Sequence, residues 1–330
     1  MIPASAKLAP ELFKHPLDER PTRDGYGEGL LAAGDADPNV VALCADLTES
    51  TRAEAFSKKY PERFFEVGVA EQNMATIAAG LGAQGKIPFI SSYATFSPGR
   101  NWEQIRTTIS YNDSNVKIAG HHAGISVGPD GATHQAIEDI ATMRVMANMK
   151  VIVPCDVIQA KKATMAAAHI WGPVYLRFAR EKSPVFTTEA TPFVPGKAQV
   201  FWRSKNPRVL IAACGNLVYH ALVAAKELDK EGFGTTVLNV HTIKPLDEEA
   251  ILEHAKAAGA VVTVEEHQVS GGLGGAVAEL LARRAPLPME FIGMQGVFGE
   301  SGEPAELIAK YHMDVTDIKA AAKRAAKRGR

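Results

Sequence analysis

The feature that most constrains the fold of this chain is a repeated alternation of short apolar runs with longer stretches of helical periodicity. Val40–Ala45, Ile87–Ser92, Val116–His121, Val151–Pro154 and Val174–Phe178 read as strands, with helical patterns between them such as Gln135–Asn148 and Val157–His169. A helix opens the set at Thr22, placed as its N-cap, and is ended by Gly34. Strand–helix alternation predicts a mostly parallel sheet covered by helices on both faces. A second set follows, with strands Val209–Ala213, Thr235–Val240, Ala260–Val264 and Met289–Ile292. Its helices lie near Leu217–Lys230, Asp247–Ala258 and Gly272–Arg284, with a helical tail from Val315. Between the sets, the stretch from Ser183-Pro184 to Pro195-Gly196 is rich in proline and threonine and lacks periodicity. The expected organisation is an arm over 1–21, an α/β domain over 22–185, a linker over 186–204 and a second α/β domain over 205–330. A length of 330 residues is itself a prior for two domains.

Charge excludes some functions. The chain has 36 Lys plus Arg against 37 Asp plus Glu, a formal net charge of −1, which gives no support for a nucleic-acid or anionic-membrane partner. The basic run from Lys323 to Arg330 reads as a tail fraying into solvent. Cys44, Cys155 and Cys214 show neither a disulfide framework nor metal-binding spacing, and read as small buried hydrophobes. Met1 to Pro21 has no apolar signal region and no run is long enough to span a bilayer, so a cytoplasmic protein is expected.

Candidate chemistry collects beyond the carboxyl ends of the first set of strands, which share one edge of a parallel sheet. Glu71 stands in the first turn of a helix just past the strand Arg63–Val67. It reads either as an acid complementing the helix dipole or as a carboxylate offered to a ligand at the sheet edge. Asp46, Thr48 and Ser50 follow the first strand, Tyr93 and Phe96 the second, His121 and His122 the third, and Arg180 the fifth. Arg23, His122 and Arg180 can hold an anion, and arginine can do so with two parallel hydrogen bonds. His134, in Asp130-Gly131-Ala132-Thr133-His134, can donate to a carbonyl or shuttle protons. Phe96 and Tyr93 offer a face for a planar ring. Each of these side chains also has a purely structural reading. No metal loop, nucleophile elbow or complete phosphate-cradling loop is present, so if this is a phosphate-using enzyme part of its site is elsewhere. Gly271-Gly272-Leu273-Gly274-Gly275 precedes a helix but fits no phosphate-loop spacing; it reads as a geometric turn, with ligand binding as the alternative.

Three blocks carry a resemblance: Ala45-Asp46-Leu47-Thr48-Glu49-Ser50, Glu66-Val67-Gly68-Val69-Ala70-Glu71-Gln72-Asn73, and Gly128-Pro129-Asp130-Gly131-Ala132-Thr133-His134-Gln135. In order and separation they resemble the pyrimidine-binding and C-terminal domains of transketolase, a thiamine-diphosphate enzyme of the pentose phosphate pathway. The family's N-terminal diphosphate-binding domain is absent, so the resemblance implies the C-terminal subunit of a split transketolase. It implies that Glu71 bonds the pyrimidine ring nitrogen of the cofactor, that Phe96 stacks on that ring with Tyr93 nearby, and that Asp46 lies by the thiazolium. His134 and Asp130 would contact the hydroxyls of the ketose donor, and Arg23, Ser50, His122 and Arg180 would hold the sugar phosphate. Magnesium or calcium would be held mainly by the partner, an N-terminal transketolase subunit, in a heterotetramer with two of each chain. The chain departs from the family at Ala123-Gly124, where Asp-Ser is frequent, at Pro129, where Glu is usual, and at Gln72, where His is frequent. Those departures leave the donor and acceptor sugars open. The alternatives are a deoxyxylulose-phosphate synthase-like subunit, a 2-oxo-acid dehydrogenase beta-type subunit, or a non-catalytic regulatory subunit of the same fold. Ser97-Pro98-Gly99-Arg100 and Asp130–His134 count against the dehydrogenase.

Overall fold

The structure, a computed structural model described over residues 1–329, contains two α/β sheets and one short antiparallel pair. In the first half the strands are β1 (Glu19–Pro21), β2 (Val40–Cys44), β3 (Phe64–Glu66), β4 (Ile87–Tyr93), β5 (Lys117–His121), β6 (Lys150–Ile152), β7 (Val174–Arg177) and β8 (Lys182–Pro184). The second half adds β9 (Gln199–Arg203), β10 (Val209–Ala213), β11 (Thr235–Asn239), β12 (Thr242–Lys244), β13 (Val261–Gln268) and β14 (Met289–Met294). Strands β3, β2, β4, β5, β7 and β6 run parallel in that order, and β12 closes the far edge antiparallel to β6. The second sheet has the order β14-β13-β10-β11-β9, parallel but for the edge strand β9. Val-Val-Ala-Leu-Cys of β2 is buried along its whole length, as a strand covered on both faces must be.

The helices are α1 (Thr22–Ala36), α2 (Glu54–Lys59), α3 (Glu71–Ala83), α4 (Trp102–Gln104, running into a π-helical turn Ile105–Ser110), α5 (Asp139–Arg144) and α6 (Val157–Ala168). The second half adds α7 (Leu217–Lys230), α8 (Glu248–Ala258), α9 (Leu273–Arg284), α10 (Pro304–Lys310) and α11 (Val315–Arg328). Helices α1 and α6 cross closely because α1 is hollowed where they meet. A Cβ on Gly25 would stand 2.1 Å from the Val157 carbonyl oxygen, and one on Gly29 2.7 Å from that of Lys161. Asp156 caps α6 by accepting from the Gln159 N–H at 2.9 Å.

The two halves share a core. One hydrophobic cluster runs from Leu43, Ile90, Ile118 and Val151 in the first sheet to Leu210, Leu238, Val261 and Leu280 in the second. Across the junction, Arg177 of β7 donates to Asp139 through Nε at 2.8 Å and Nη2 at 3.2 Å, and to the Glu266 carbonyl of β13 at 2.8 Å. Tyr175 adds a hydrogen bond from its hydroxyl to Asp139 at 2.6 Å. All three side chains are buried.

Several expectations are corrected. Thr22 is the first helical residue of α1, not its N-cap; its buried hydroxyl accepts from the Ala179 N–H at 2.7 Å and ties the helix to the end of β7. The helix expected over 135–148 shrinks to α5, because Gln135 is drawn away to the Ile125, Gly128 and Glu300 carbonyls. The stretch read as a linker holds strand β9, whose Phe201 and Trp202 are buried. As far as Arg328 the basic tail does not fray, Arg330 lying outside the described residues: α11 buries Ile318, Ala321, Ala322, Ala325 and Ala326, while Lys319, Lys323, Arg324 and Arg328 pair with Glu227, Glu231 and Glu290. At the glycine-rich turn before α9, the Glu265 carboxylate accepts from the Leu273 and Gly274 N–H groups at 2.7 Å each. A Cβ on Gly272 would stand 2.0 Å from Glu265 Oε2, so these glycines seat an internal carboxylate where a ligand anion was the alternative. Burial pushes Glu265 up to about 7, against the two N–H groups that favour its charged form. No helix among the described residues is long and apolar enough to cross a membrane.

Candidate functional site

Parallel pairing of β2, β4, β5 and β7 brings their carboxyl ends to one edge, and the candidate side chains follow. Glu71 is the first residue of α3 and is only 2% exposed. Its backbone is pinned by Asn101, which donates from Nδ2 to the Glu71 carbonyl and to Ser97 Oγ, both at 3.1 Å. Arg100 Nη1 stands 3.7 Å from Glu71 Oε2. That oxygen is buried and has no hydrogen-bond partner among the described residues. An orphaned buried acceptor costs about 1–3 kcal/mol, which a donor arriving from outside the chain would recover.

Phe96 and Tyr93 lie nearly parallel, with ring centroids 5.8 Å apart and planes 19° apart. His122 stacks on Tyr93 at 3.8 Å, and His134 meets Phe96 edge-on at 5.6 Å. His134 Nδ1 is 2.9 Å from the Thr133 hydroxyl, which fixes the ring beside the aromatic pair. The structure therefore joins Tyr93, Phe96, His122 and His134 in one contact group.

Arg23 reaches from α1 into the same group. It donates from Nη1 to the Ser50 carbonyl at 3.0 Å and stands 3.4 Å from His122 Nε2; Ser50 Oγ is 2.8 Å from the Tyr93 hydroxyl. A cavity of about 380 Å3 opens there, lined by Arg23, Asp46, Leu47, Thr48, Glu49, Ser50 and Arg52. Arg180 donates to the Val127 carbonyl at 2.8 Å and stands 3.7 Å from Asp130, so those two candidates neutralise one another in part.

His122 is buried in the left-handed backbone region at φ 52°. Burial, then Arg23, Arg180 and His134, push its pKa down from 6.5 to about 3. At neutral pH it is an uncharged donor or acceptor. The unfolded chain takes up a proton at this residue below about 6.5 and the native chain does not. Its contribution to stability is therefore present above that pH and is lost as pH falls toward 3. At pH 5 the expected loss is about 2 kcal/mol. Thermal melts between pH 7 and pH 5 check this: His122→Asn should flatten the fall in midpoint, and an unaltered slope would refute it.

Four residues that sequence reasoning passed over belong to the site. Glu66 accepts from the Asp46 N–H at 2.7 Å, the Gly68 N–H at 3.1 Å and the Thr48 hydroxyl at 2.7 Å. It thereby holds Asp46 at φ 59° and couples that loop to the turn entering α3. Glu66 read only as part of the Arg63–Val67 strand and of the second block of resemblance; its place beside the Asp46–Thr48 turn comes from the pairing of β3 with β2, which nothing local announced. Asn101 and Arg100 act on Glu71 from a loop thirty residues away in sequence, and nothing local announced them. Arg52 is the fourth. Among the described residues, no group of three or more His, Cys, Asp or Glu side chains is placed to hold a metal ion.

Comparison with known proteins is consistent across the chain. The family profile for the transketolase pyrimidine binding domain matches residues 18–185, and that for the transketolase C-terminal domain matches residues 196–318. A Methanocaldococcus jannaschii protein named as a transketolase C-terminal section is 44% identical over 299 residues, covering 90% of this chain and 93% of its own. A 6-deoxy-6-sulfo-D-fructose transketolase subunit of Clostridium sp. is 40% identical over 94% of this chain and 96% of its own. Human transketolase is 36% identical over 90% of this chain, but only 48% of the human protein is covered. A solved split-gene transketolase, described as an inactive β4 tetramer, superposes with a TM-score of 0.87 at 43% identity, covering 95% of this chain and all of the other.

Proposed function

The chain belongs to the transketolase family, and on that premise we propose that it is the C-terminal subunit of a split, cytoplasmic transketolase. It transfers a two-carbon ketol unit from a ketose phosphate such as xylulose 5-phosphate to an aldose phosphate such as ribose 5-phosphate. It works with thiamine diphosphate and with a separate N-terminal subunit, two of each chain. The observation that carries this reading is the buried Glu71 Oε2, without a hydrogen-bond partner among the described residues, at the sheet edge that also bears the Tyr93–Phe96 face and a cavity lined by Arg23 and Arg52 with Asp46 and Glu49.

These residues fit an aminopyrimidine ring. Glu71 would accept a hydrogen bond from a ring nitrogen at Oε2, and Phe96, with Tyr93 behind it, would face the ring. Asp46 would lie by the thiazolium. Thiamine diphosphate, when bound, supplies the electron sink for carbon–carbon cleavage; the chain supplies orientation and electrostatics. His134 and Asp130 would hydrogen-bond donor hydroxyls, while Arg23, Ser50, His122 and Arg180 would hold the terminal phosphate. Magnesium or calcium and its ligands would belong to the partner subunit.

The need for a partner is supported by two relatives. This chain spans about half of human transketolase, and the similar split-gene tetramer built of β chains is described as inactive. The likeness to a sulfo-sugar transketolase subunit favours a second donor, a ketose bearing a sulfonate, since guanidinium groups bind either oxyanion.

Ketol transfer from xylulose 5-phosphate to ribose 5-phosphate, measured on the chain alone and with its N-terminal partner, tests the reading. Activity in the complex alone is expected; an inactive complex loaded with cofactor and magnesium would refute the named substrates. Arg180→Ala should raise KM for phosphorylated donors roughly tenfold or more and spare kcat, as loss of uniform binding does. Equal losses with an unphosphorylated donor would remove Arg180 from the phosphate site.

A further inference from the structure

We propose that Arg52 is a further contact of the substrate's anionic group, completing a three-arginine cradle with Arg23 and Arg180. The inference rests on the sugar-phosphate reading above and extends it to a residue that none of the expected positions included.

Three independent observations meet at this side chain. Arg52 lines the same cavity as Arg23 and Ser50. Its Nε donates to Asp24 Oδ1 at 2.8 Å, which steadies the guanidinium, while Nη1 has only a 3.5 Å approach to the Glu49 carbonyl. One edge of the planar fork is thus fixed and the other is left for a ligand, the geometry that suits a phosphate oxygen pair.

The backbone is shaped to put it there. Arg52 is held at φ 66°, a left-handed conformation that side-chain-bearing residues adopt at a cost of the order of 1 kcal/mol. Helix α1 yields space in turn: a Cβ on Gly27 would stand 2.7 Å from the Arg52 carbonyl oxygen and 2.8 Å from its Cβ. Core packing does not explain these concessions, because the side chain is 39% exposed.

The local charge is arranged for an anion that the protein does not itself provide. Arg23 spends its hydrogen bonds on neutral groups, Ser50 and His122. Burial, then the neighbouring Arg52, lowers its affinity for its own proton, with Arg180 acting in the same sense. Asp24 offsets Arg52, but it also faces Arg20 at 3.9 Å. Asp46 and Glu49 border the cavity without pairing with Arg23. Arg180 is balanced in part by Asp130 at 3.7 Å and Glu181 at 3.6 Å, so a phosphate dianion would relieve chiefly the repulsion between Arg23 and Arg52.

Inorganic phosphate titrated into the full chain at low ionic strength tests this, with Arg52→Ala, Arg52→Lys and Asp24→Asn compared with wild type. Arg52→Ala should weaken phosphate binding about tenfold, and Arg52→Lys should recover part of the loss. A merely structural role for the Arg52–Asp24 pair predicts that Asp24→Asn weakens binding as much as Arg52→Ala does. An anion contact predicts that Asp24→Asn binds as well as wild type or better. Wild type without saturable phosphate binding, or Arg52→Ala within twofold of wild type, would overturn the proposal. Ketol-transfer assays of the partner complex separate it from the parent reading. Phosphate held through Arg52 without ketol transfer keeps this inference and removes that reading. Ketol transfer with an unaltered KM in Arg52→Ala does the reverse.

Discussion

Glu71→Gln is expected to leave a folded chain that still assembles with its partner and to remove nearly all ketol transfer. Glutamine preserves the shape, and the contacts that place this residue are made by its backbone, through Asn101. What changes is Oε2, the buried atom with no hydrogen-bond partner among the described residues. As a carboxylate oxygen it can share the proton of a ring nitrogen and stabilise the tautomer that needs it; as an amide nitrogen it can only donate. Steady-state rates of the assembled complex decide the matter. Retention of more than about a tenth of the wild-type rate would correspond to under about 1.4 kcal/mol of barrier and would sink the assignment. A melting temperature close to wild type would show that the loss is chemical.

Asp139→Ala should produce the largest loss of stability from a single side chain. Arg177 is buried, and removal of its carboxylate leaves an uncompensated guanidinium in the junction between the two halves. Breaking a buried pair in this way costs about 3–5 kcal/mol. The carboxyl itself reports the balance: burial alone would raise its pKa, but Arg177, His267 and Tyr175 outweigh burial and hold it below the ordinary value. That contribution is complete above the unfolded-state value near 3.8 and is lost as pH falls through the lower native one. Denaturant unfolding of Asp139→Ala, Arg177→Met and the double variant should show strong coupling, with the double variant less damaged than the two single losses added together. Simple additivity would show that the pair does not act as a unit.

Much of the fold was legible because its strands announce themselves. Val40–Cys44 and Val209–Ala213 are wholly buried, and only a run of apolar residues can be buried on both faces. The gathering of Asp46, Tyr93, His122 and Arg180 at one edge followed from parallel pairing alone. The errors fall where a distant residue overrides local preference. Thr22 suits an N-cap, but Ala179, far along the chain, offers its N–H to the same hydroxyl. The glycines before α9 form the geometric turn expected of them, though the Glu265 carboxylate they seat was not foreseen. Arg100 and Asn101 act on Glu71 only because the loop after β4 folds back over α3, and periodicity holds no record of such a contact. Arg52 escaped for a related reason: an arginine after Ser-Thr looks like any surface cation until its backbone angle and Gly27 are seen.

Strand β12 carries a consequence for how the molecule comes apart. It leaves the second sheet's half of the chain and finishes the edge of the first, antiparallel to β6. A cut anywhere between β8 and β12 would strip an edge strand from one fragment and divide the hydrophobic cluster that holds Leu43 and Ile118 together with Leu238 and Leu280. The polypeptide should therefore melt as one calorimetric unit, with a single peak and matching calorimetric and van't Hoff enthalpies. Two blocks of sequence should then behave as a single thermodynamic object, and neither half made alone should give a cooperative melt.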